Sequence, residues 1–208
     1  MGKIMKCLII SGGEFSKVRL SSRYDLIIAC DKGYAYGKKL KIRPHIVIGD
    51  FDSIKRPRNF ATIIEVEKEK DDTDTGLAVK YAIRNGYKEI DIICGLGKRL
   101  DHTIANISLL KYIAENGARG RILSDDTEIL VAKDELIRIK RIKGRYISIF
   151  SMSDKSSIEY IKGTKYDVKN ITLRNEYPLG VSNEFKDPYA KIKIKKGVVM
   201  ICIVKGNL

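Results

Sequence analysis

His45-Ile-Val-Ile-Gly-Asp-Phe-Asp-Ser53 is a short apolar run that stops at Gly49 and then releases two acidic side chains, Asp50 and Asp52, with one residue between them. So apolar a run reads as a buried parallel strand, and the carboxyl end of such a strand is where open α/β sheets place their ligands. The same residues also suit an ordinary turn. What separates the two readings is whether neighbouring stretches repeat the pattern.

They do. Met5 to Ser11 is an apolar strand followed at once by Gly12-Gly13, which permits close backbone approach to a phosphate. Asp25-Leu-Ile-Ile-Ala-Cys-Asp31 is a second strand that ends in an acid, and a short helical stretch runs from Gly33 to Leu40 before Pro44. Thr62 to Val66 reads as a fourth strand, leading through Lys68-Glu-Lys-Asp-Asp-Thr-Asp74 into a helix. In that helix Leu77, Ala78, Tyr81 and Ala82 recur at helical spacing, Gly86 lies past the end, and Asp72 or Thr73 is placed to cap the first N–H groups. Ile90 to Cys94 makes a fifth strand, followed by Gly95-Leu-Gly-Lys-Arg-Leu-Asp-His102 and a helix from Leu100 to Glu115. Arg99 and Asp101 therefore fall at that helix's first turn, where an anion meets both N–H groups and a guanidinium. Arg121 to Ser124 supplies a sixth strand.

Around Asp125 to Asp134 the pattern changes. Downstream, residues 136–142, 145–152, 157–162, 168–174 and 190–204 are β-rich and separated by Lys143-Gly144, Gly163, Pro178-Leu-Gly180 and Asp187-Pro188. Strands after a βαβ series predict a second domain, an antiparallel sandwich or barrel.

The 208 residues, 44% of them apolar, can fill such cores. No apolar run approaches the roughly 20 residues needed to span a bilayer, and the first residues do not form a signal peptide, so a soluble cytoplasmic protein without membrane attachment is expected. Cys7, Cys30, Cys94 and Cys202 sit in apolar runs without C-x-x-C spacing and read as buried free thiols. With only His45 and His102 available, any metal should be a hard cation held by carboxylates. The formal charge of +14 divides evenly: 23 basic against 16 acidic residues over 1–125, and 17 against 10 over 126–208. Neither half is a basic arm, and lysines alternating with apolar residues, as in Lys191-Ile-Lys-Ile-Lys195, read as a solvated strand face. No nucleic-acid partner is expected. A basic RNA-binding module is the competing reading, and clustered acids without an aromatic–basic motif speak against it.

Asp31, Asp50, Asp52, Asp74 and Asp101 all fall just past strands or at the helix start that follows. Right-handed crossovers bring them to one edge of the sheet. Carboxylates gathered there need a divalent cation or basic partners, and an oxygen-only donor set points to Mg²⁺ working on phosphates. A nucleotide-dependent phosphoryl or pyrophosphoryl transferase fits, as does a metal-dependent nucleotide hydrolase. No G-x-x-x-x-G-K-[ST] P-loop or complete G-x-G-x-x-G is present.

Gly12-Gly13-Glu14, Asp31-x-Gly33, Pro44-His-Ile-Val-Ile-Gly-Asp-Phe-Asp-Ser53, Asp71-Asp-Thr-Asp74, Gly95-x-Gly-x-Arg-Leu-Asp-His102 running into Ala105-Asn106, and Ser182-Asn-Glu-Phe185 occur in this order. Together they resemble the thiamine pyrophosphokinase family across nearly the whole chain. The resemblance implies a Rossmann-like α/β nucleotide domain over residues 1–127, a C-terminal antiparallel β-sandwich binding thiamine over 128–208, and a homodimer. It implies catalysis by Asp50, Asp52, Asp74 and Asp101, with Mg²⁺ on Asp50, Asp52 and Asp74. It places ATP against Gly12, Gly13, Asp31, Asp71, Thr73, Arg99 and His102, and thiamine against Ser182 and Asn183. Lys32 and Lys98 stand where the family commonly has glycine, and with no Trp any aromatic support for thiamine falls to Tyr or Phe. A pyrophosphokinase for another alcohol, such as a hydroxymethylpterin, is the nearest alternative, and Ser182-Asn-Glu-Phe185 within a full second domain argues against it.

Overall fold

The computed structural model describes residues 3–20, 23–50, 62–65 and 72–206. Asp52, Ser53 and Asp71 lie outside them. The chain divides into two compact units, Met1–Asp125 and Asp126–Leu208.

The first unit alternates strands and helices as β1 (Lys6–Ile10), β2 (Leu26–Cys30), α1 (Gly33–Leu40), β3 (Ile46–Gly49), β4 (Thr62–Glu65), α2 (Asp74–Arg84), β5 (Glu89–Ile93), α3 (Leu100–Glu115) and β6 (Arg119–Leu123). All six strands are parallel, in the order β6-β5-β1-β2-β3-β4. Parallel strands covered on both faces must be apolar throughout, and Cys7, Leu8, Ile9 and Ile10 of the central strand are each 0% exposed. On one face lie Leu8, Ile10, Ala29 and Ile93, beneath Val18, Leu20 and the α1 side chains Tyr34, Tyr36 and Leu40. His45 helps to start β3, accepting the Ile27 N–H at Nδ1 (2.9 Å) while its own N–H donates to the Ile27 carbonyl. Where β5 meets β6, the buried Asp91 takes a two-pronged ion pair from Arg121 (2.8 and 2.7 Å) and a hydrogen bond from the Tyr24 hydroxyl (2.7 Å).

This strand order has one reversal. β1 to β4 step outward in one direction, and β5 returns to the other side of β1. Such a reversal is where open α/β sheets place a crevice, at the carboxyl ends of the strands.

The second unit holds β7 (Thr127–Lys133), β8 (Leu136–Lys140), β9 (Arg145–Ser151), β10 (Lys155–Lys162), β11 (Val168–Arg174), β12 (Gly180–Glu184), β13 (Tyr189–Lys196) and β14 (Val198–Lys205). It forms two antiparallel sheets, β12-β9-β14-β7 and β11-β10-β13-β8. Both contribute to one core: Ile147, Ile149, Ile201 and Ile203 from the first meet Ile158, Ile161, Ile192 and Ile194 from the second. The sequence indicated one strand over 190–204. Gly197, at φ +112°, instead turns the chain between β13 and β14, a conformation that a residue with a Cβ rarely adopts. β7 and β12 add to the expected set. The first follows two acids and the second lies among turn residues, which hid both.

Candidate active site

At the reversal between β1 and β5 lies a cleft of about 560 Å³ belonging wholly to the first unit. Its wall is a pair of loops joined backbone to backbone. Gly13 N–H donates to the Cys94 carbonyl (2.9 Å) and Glu14 N–H to the Leu96 carbonyl (2.7 Å). A Cβ on Gly13 would stand 2.6 Å from the Leu96 oxygen, so glycine is required for this approach. Tyr36 of α1 donates its hydroxyl to the Gly13 carbonyl (2.9 Å), and Asn106 of α3 donates to the Gly95 carbonyl (2.6 Å). Thr103 closes the turn by accepting the Gly97 N–H (3.2 Å).

Into this frame the strand ends deliver acids. Asp31 follows β2 with a left-handed backbone (φ 42°), its N–H donated to the Ile48 carbonyl (2.9 Å). Asp50 follows β3, Asp74 opens α2, and all three line the cleft together with Glu14. Thr73 is the cap of α2, its Oγ1 accepting the Gly76 N–H (3.0 Å). Asp72, the other candidate cap, instead pairs with Lys80 (2.6 Å). Beneath Asp74 the floor is polar and buried: the hydroxyls of Ser11 and Thr75 are 2.7 Å apart, and the Cys30 thiol donates to the Asp74 carbonyl (3.5 Å). Burial pushes the Cys30 thiol well up, so it stays protonated.

Basic side chains face these acids. Lys32, Lys98, Arg99 and His102 line the cleft. Arg99 is gripped from behind by Asp101, with Nε to Oδ1 at 2.9 Å and Nη2 to Oδ2 at 2.6 Å. The guanidinium holds the Asp101 carboxyl far below the usual carboxylate range. Both partners are largely exposed, so the pair organises charge more than it stabilises the fold.

Gly12, Gly13, Asp31, Asp50, Thr73, Asp74, Arg99 and His102 thus share one cleft, while Asp101 stands beside it as Arg99's partner. Asp52 and Asp71 fall outside the described residues. Ser182 and Asn183 belong to β12 of the second unit. Ser182 has a left-handed backbone (φ 58°) and gives its N–H to Ser148 Oγ (3.0 Å). The Asn183 amide is fully engaged: Oδ1 accepts the Tyr166 and Glu184 N–H groups (3.1 and 2.9 Å), and Nδ2 donates to Thr164 Oγ1 and the Tyr166 carbonyl (3.2 and 3.0 Å).

Sequence reasoning passed over Ser11, Glu14, Thr75 and Thr103 as cleft residues and left Lys32 and Lys98 unassigned. The lysines carried a signal, since each directly adjoins a motif residue, Asp31 or Arg99. The hydroxyls carried none.

The donor set is carboxylate oxygen. Among the described residues no group of three or more His, Cys, Asp or Glu could enclose a metal ion unaided. Few protein oxygens with open positions suit Mg²⁺, which keeps water and takes phosphate oxygens as ligands. Acids beside Lys32, Lys98 and Arg99 suit a polyphosphate that brings its own cation.

Comparison with known proteins agrees along the chain. Residues 18–120 match the family model described as the thiamin pyrophosphokinase catalytic domain, and residues 129–199 match that of the thiamin pyrophosphokinase vitamin B1 binding domain. The chain is 28% identical over 204 residues to thiamine pyrophosphokinase of Bacillus subtilis, covering 93% of this chain and 95% of that one. It is 23% identical over 167 residues to thiamin pyrophosphokinase 1 of Caenorhabditis elegans, covering 75% and 68%. The crystal structure of the Bacillus subtilis protein superposes with a TM-score of 0.87 at 25% identity, covering 98% of this chain and 100% of that one. The crystal structure of the yeast enzyme shares the fold, with a TM-score of 0.73 at 16% identity and 98% and 87% coverage.

Proposed function

Because this chain belongs to the thiamine pyrophosphokinase family, we propose that it transfers a pyrophosphoryl group from ATP to the hydroxyl of thiamine, giving thiamine diphosphate and AMP. The observation that carries the reading is the cleft at the β1/β5 reversal, lined together by Asp31, Asp50 and Asp74 and by Lys32, Lys98 and Arg99, with the joined loops after β1 and β5 as its wall.

In this proposal the triphosphate lies along Gly12-Gly13 and the start of α2, whose first N–H groups favour anions. Arg99 binds phosphate oxygens with its orientation set by Asp101, and Asp31, Asp71, Thr73 and His102 complete the nucleotide site. Asp50, Asp52 and Asp74 hold Mg²⁺, which when bound neutralises charge on the phosphate oxygens. The thiamine hydroxyl attacks the β-phosphorus, the new P–O bond forms as the bond to the α-phosphate bridging oxygen breaks, and AMP leaves with that oxygen. Asp74, which lines the cleft, accepts the hydroxyl proton at the carboxylate oxygen it does not give to the cation. Asp101 is the weaker base, because both of its oxygens are committed to Arg99. Ser182 contacts thiamine, and Asn183 supports that contact by fixing Tyr166 and Glu184. The working form is a cytoplasmic homodimer.

The test is incubation with ATP, Mg²⁺ and thiamine, followed by separation of products. AMP and thiamine diphosphate in equal amounts are expected. ADP with thiamine monophosphate would mark an ordinary kinase, and turnover only with a hydroxymethylpterin would move the acceptor.

A further inference from the structure

The sheet β11-β10-β13-β8 turns Ile158, Ile161, Ile192 and Ile194 into the core. In β13 and β8 the residues alternating with the buried ones face outward, while β10 slips register between Ser157 and Tyr160 and resumes alternation from there. In sequence these lysines alternate with apolar residues and look like ordinary solvated positions. Register adds what alternation does not show. Lys162 of β10 lies directly opposite Lys191 of β13, and Lys191 directly opposite Arg138 of β8, giving three cations in one row across three adjacent strands. The next row carries Lys169, Tyr160, Lys193 and the exposed Leu136, and on the other side Lys140 stands opposite Tyr189.

Like charges directly opposite one another destabilise a sheet, and a surface built for solubility intersperses signs. Glu159, exposed on β10 beside Tyr160, is the one acid within these three strands' paired span, and Arg138, Lys140, Lys162, Lys169, Lys191 and Lys193 form no ion pair with it or with any other acid among the described residues. The rows also hold stacked cations: the Arg138 guanidinium lies 4.2 Å from the Tyr189 ring centroid and the Lys162 ammonium 4.9 Å from that of Tyr160. Such planes take unstacked bases, and closely spaced cations take consecutive phosphates.

We propose that this outward face of the second unit binds single-stranded RNA through its phosphate backbone, with bases against the Arg138–Tyr189 and Lys162–Tyr160 stacks. The geometry favours a single strand over a duplex, since the ring–cation stacks take unpaired bases, which a duplex keeps stacked on one another. It also favours RNA over a lipid surface, because the rings are capped by cations and Leu136 is the one large aliphatic side chain exposed in these rows. The face belongs wholly to the second unit.

The experiment is fluorescence anisotropy with a labelled single-stranded RNA of about twelve nucleotides, from low to physiological salt. Tight binding at low salt is expected, with log K falling by roughly 0.7 per neutralised phosphate for each tenfold rise in salt. The triple variant Arg138→Glu, Lys162→Glu, Lys191→Glu should bind at least tenfold more weakly and with a shallower salt slope, while retaining its urea midpoint and pyrophosphokinase turnover. The charge-matched control Lys133→Glu, Lys143→Glu, Lys205→Glu, exposed but outside the rows, should stay within twofold of the parent. An equal loss in the control would reduce the effect to net charge and overturn the proposal. So would capture by phosphatidylserine vesicles without RNA binding, or no RNA binding at low salt.

Discussion

The hydroxyls of Ser11, at the end of β1, and Thr75, in the first turn of α2, meet 2.7 Å apart with both side chains buried. Thr75 directly follows Asp74, so this contact fixes the helix that carries the Asp74 carboxylate to the strand that leads into Gly12-Gly13. Thr75→Val keeps the shape and removes the partner, leaving a buried Ser11 hydroxyl unsatisfied at a cost of about 1–3 kcal/mol. A lower urea midpoint and reduced kcat are expected, and Thr75→Ser should restore both. Unchanged kcat in Thr75→Val would show that Asp74 does not depend on the contact.

The Arg99–Asp101 pair separates two roles that the sequence left joined. A carboxylate held by a guanidinium stays ionised far below its ordinary range and is a poor proton acceptor. Asp101→Asn should therefore raise the KM for ATP, by loosening Arg99, with less than about a tenfold loss of kcat. Asp74→Asn should cost about a hundredfold or more in kcat. Steady-state kinetics of the two variants decide the matter, and the reverse ranking would assign the proton to Asp101.

How much of this was legible in the sequence depends on what each residue does. Asp31, Asp50 and Asp74 were visible because strand ends in a parallel sheet share an edge, and an apolar run ending in an acid is a local pattern. The parallel-then-antiparallel division was visible for the same reason, the change from alternating elements to strands alone. Ser11 and Thr75 were not, since a hydroxyl pair 64 residues apart in sequence has no local signature. Asp101 looked like one more cleft acid because spacing reports position along the chain, and not which neighbour a side chain grips. β12 was hidden because its pairing with β9 slips register between Gly180 and Asn183, so its residues keep no strict alternation.

Asp50 lines the cleft and Asp52 follows it by two residues. Asp52→Asn should abolish most turnover and leave the circular dichroism spectrum and urea midpoint unchanged, because in the proposed site its carboxylate serves the cation and not the core. Removing divalent cations with EDTA should stop the parent enzyme, and Mg²⁺ should restore it. Near-normal turnover by Asp52→Asn would take Asp52 out of the metal site.

Asn183 makes four hydrogen bonds with its side-chain amide, all to protein. Asn183→Ala should loosen residues 164–166, lower stability by about 1–2 kcal/mol and raise the KM for thiamine while leaving that for ATP unchanged. Asn183→Asp keeps the acceptor and loses the two donated bonds, so it should fall between. A rise in the ATP KM instead would disconnect Asn183 from the thiamine side.

Alkali probes the sheet of the first unit. Burial pushes the Cys7 thiol from 9.0 up to about 12, with the nearby Asp91 charge adding to the shift. Tyr24 is also pushed up, by burial and then by its hydrogen bond to Asp91. Both groups are therefore held neutral in the folded chain and ionise more readily in the unfolded one. Their contribution is complete below the unfolded pKa and is lost as pH rises from about 9 toward 12, at about 1.4 kcal/mol per pH unit for each proton involved. Urea midpoints taken from pH 8 upward should be flat at first and then decline. Cys7→Ala should decline less steeply by about one proton's worth, although it starts from a lower stability because a buried sulfur is lost. A slope identical to the parent's would mean that the Cys7 thiol ionises in the folded sheet as readily as in the unfolded chain.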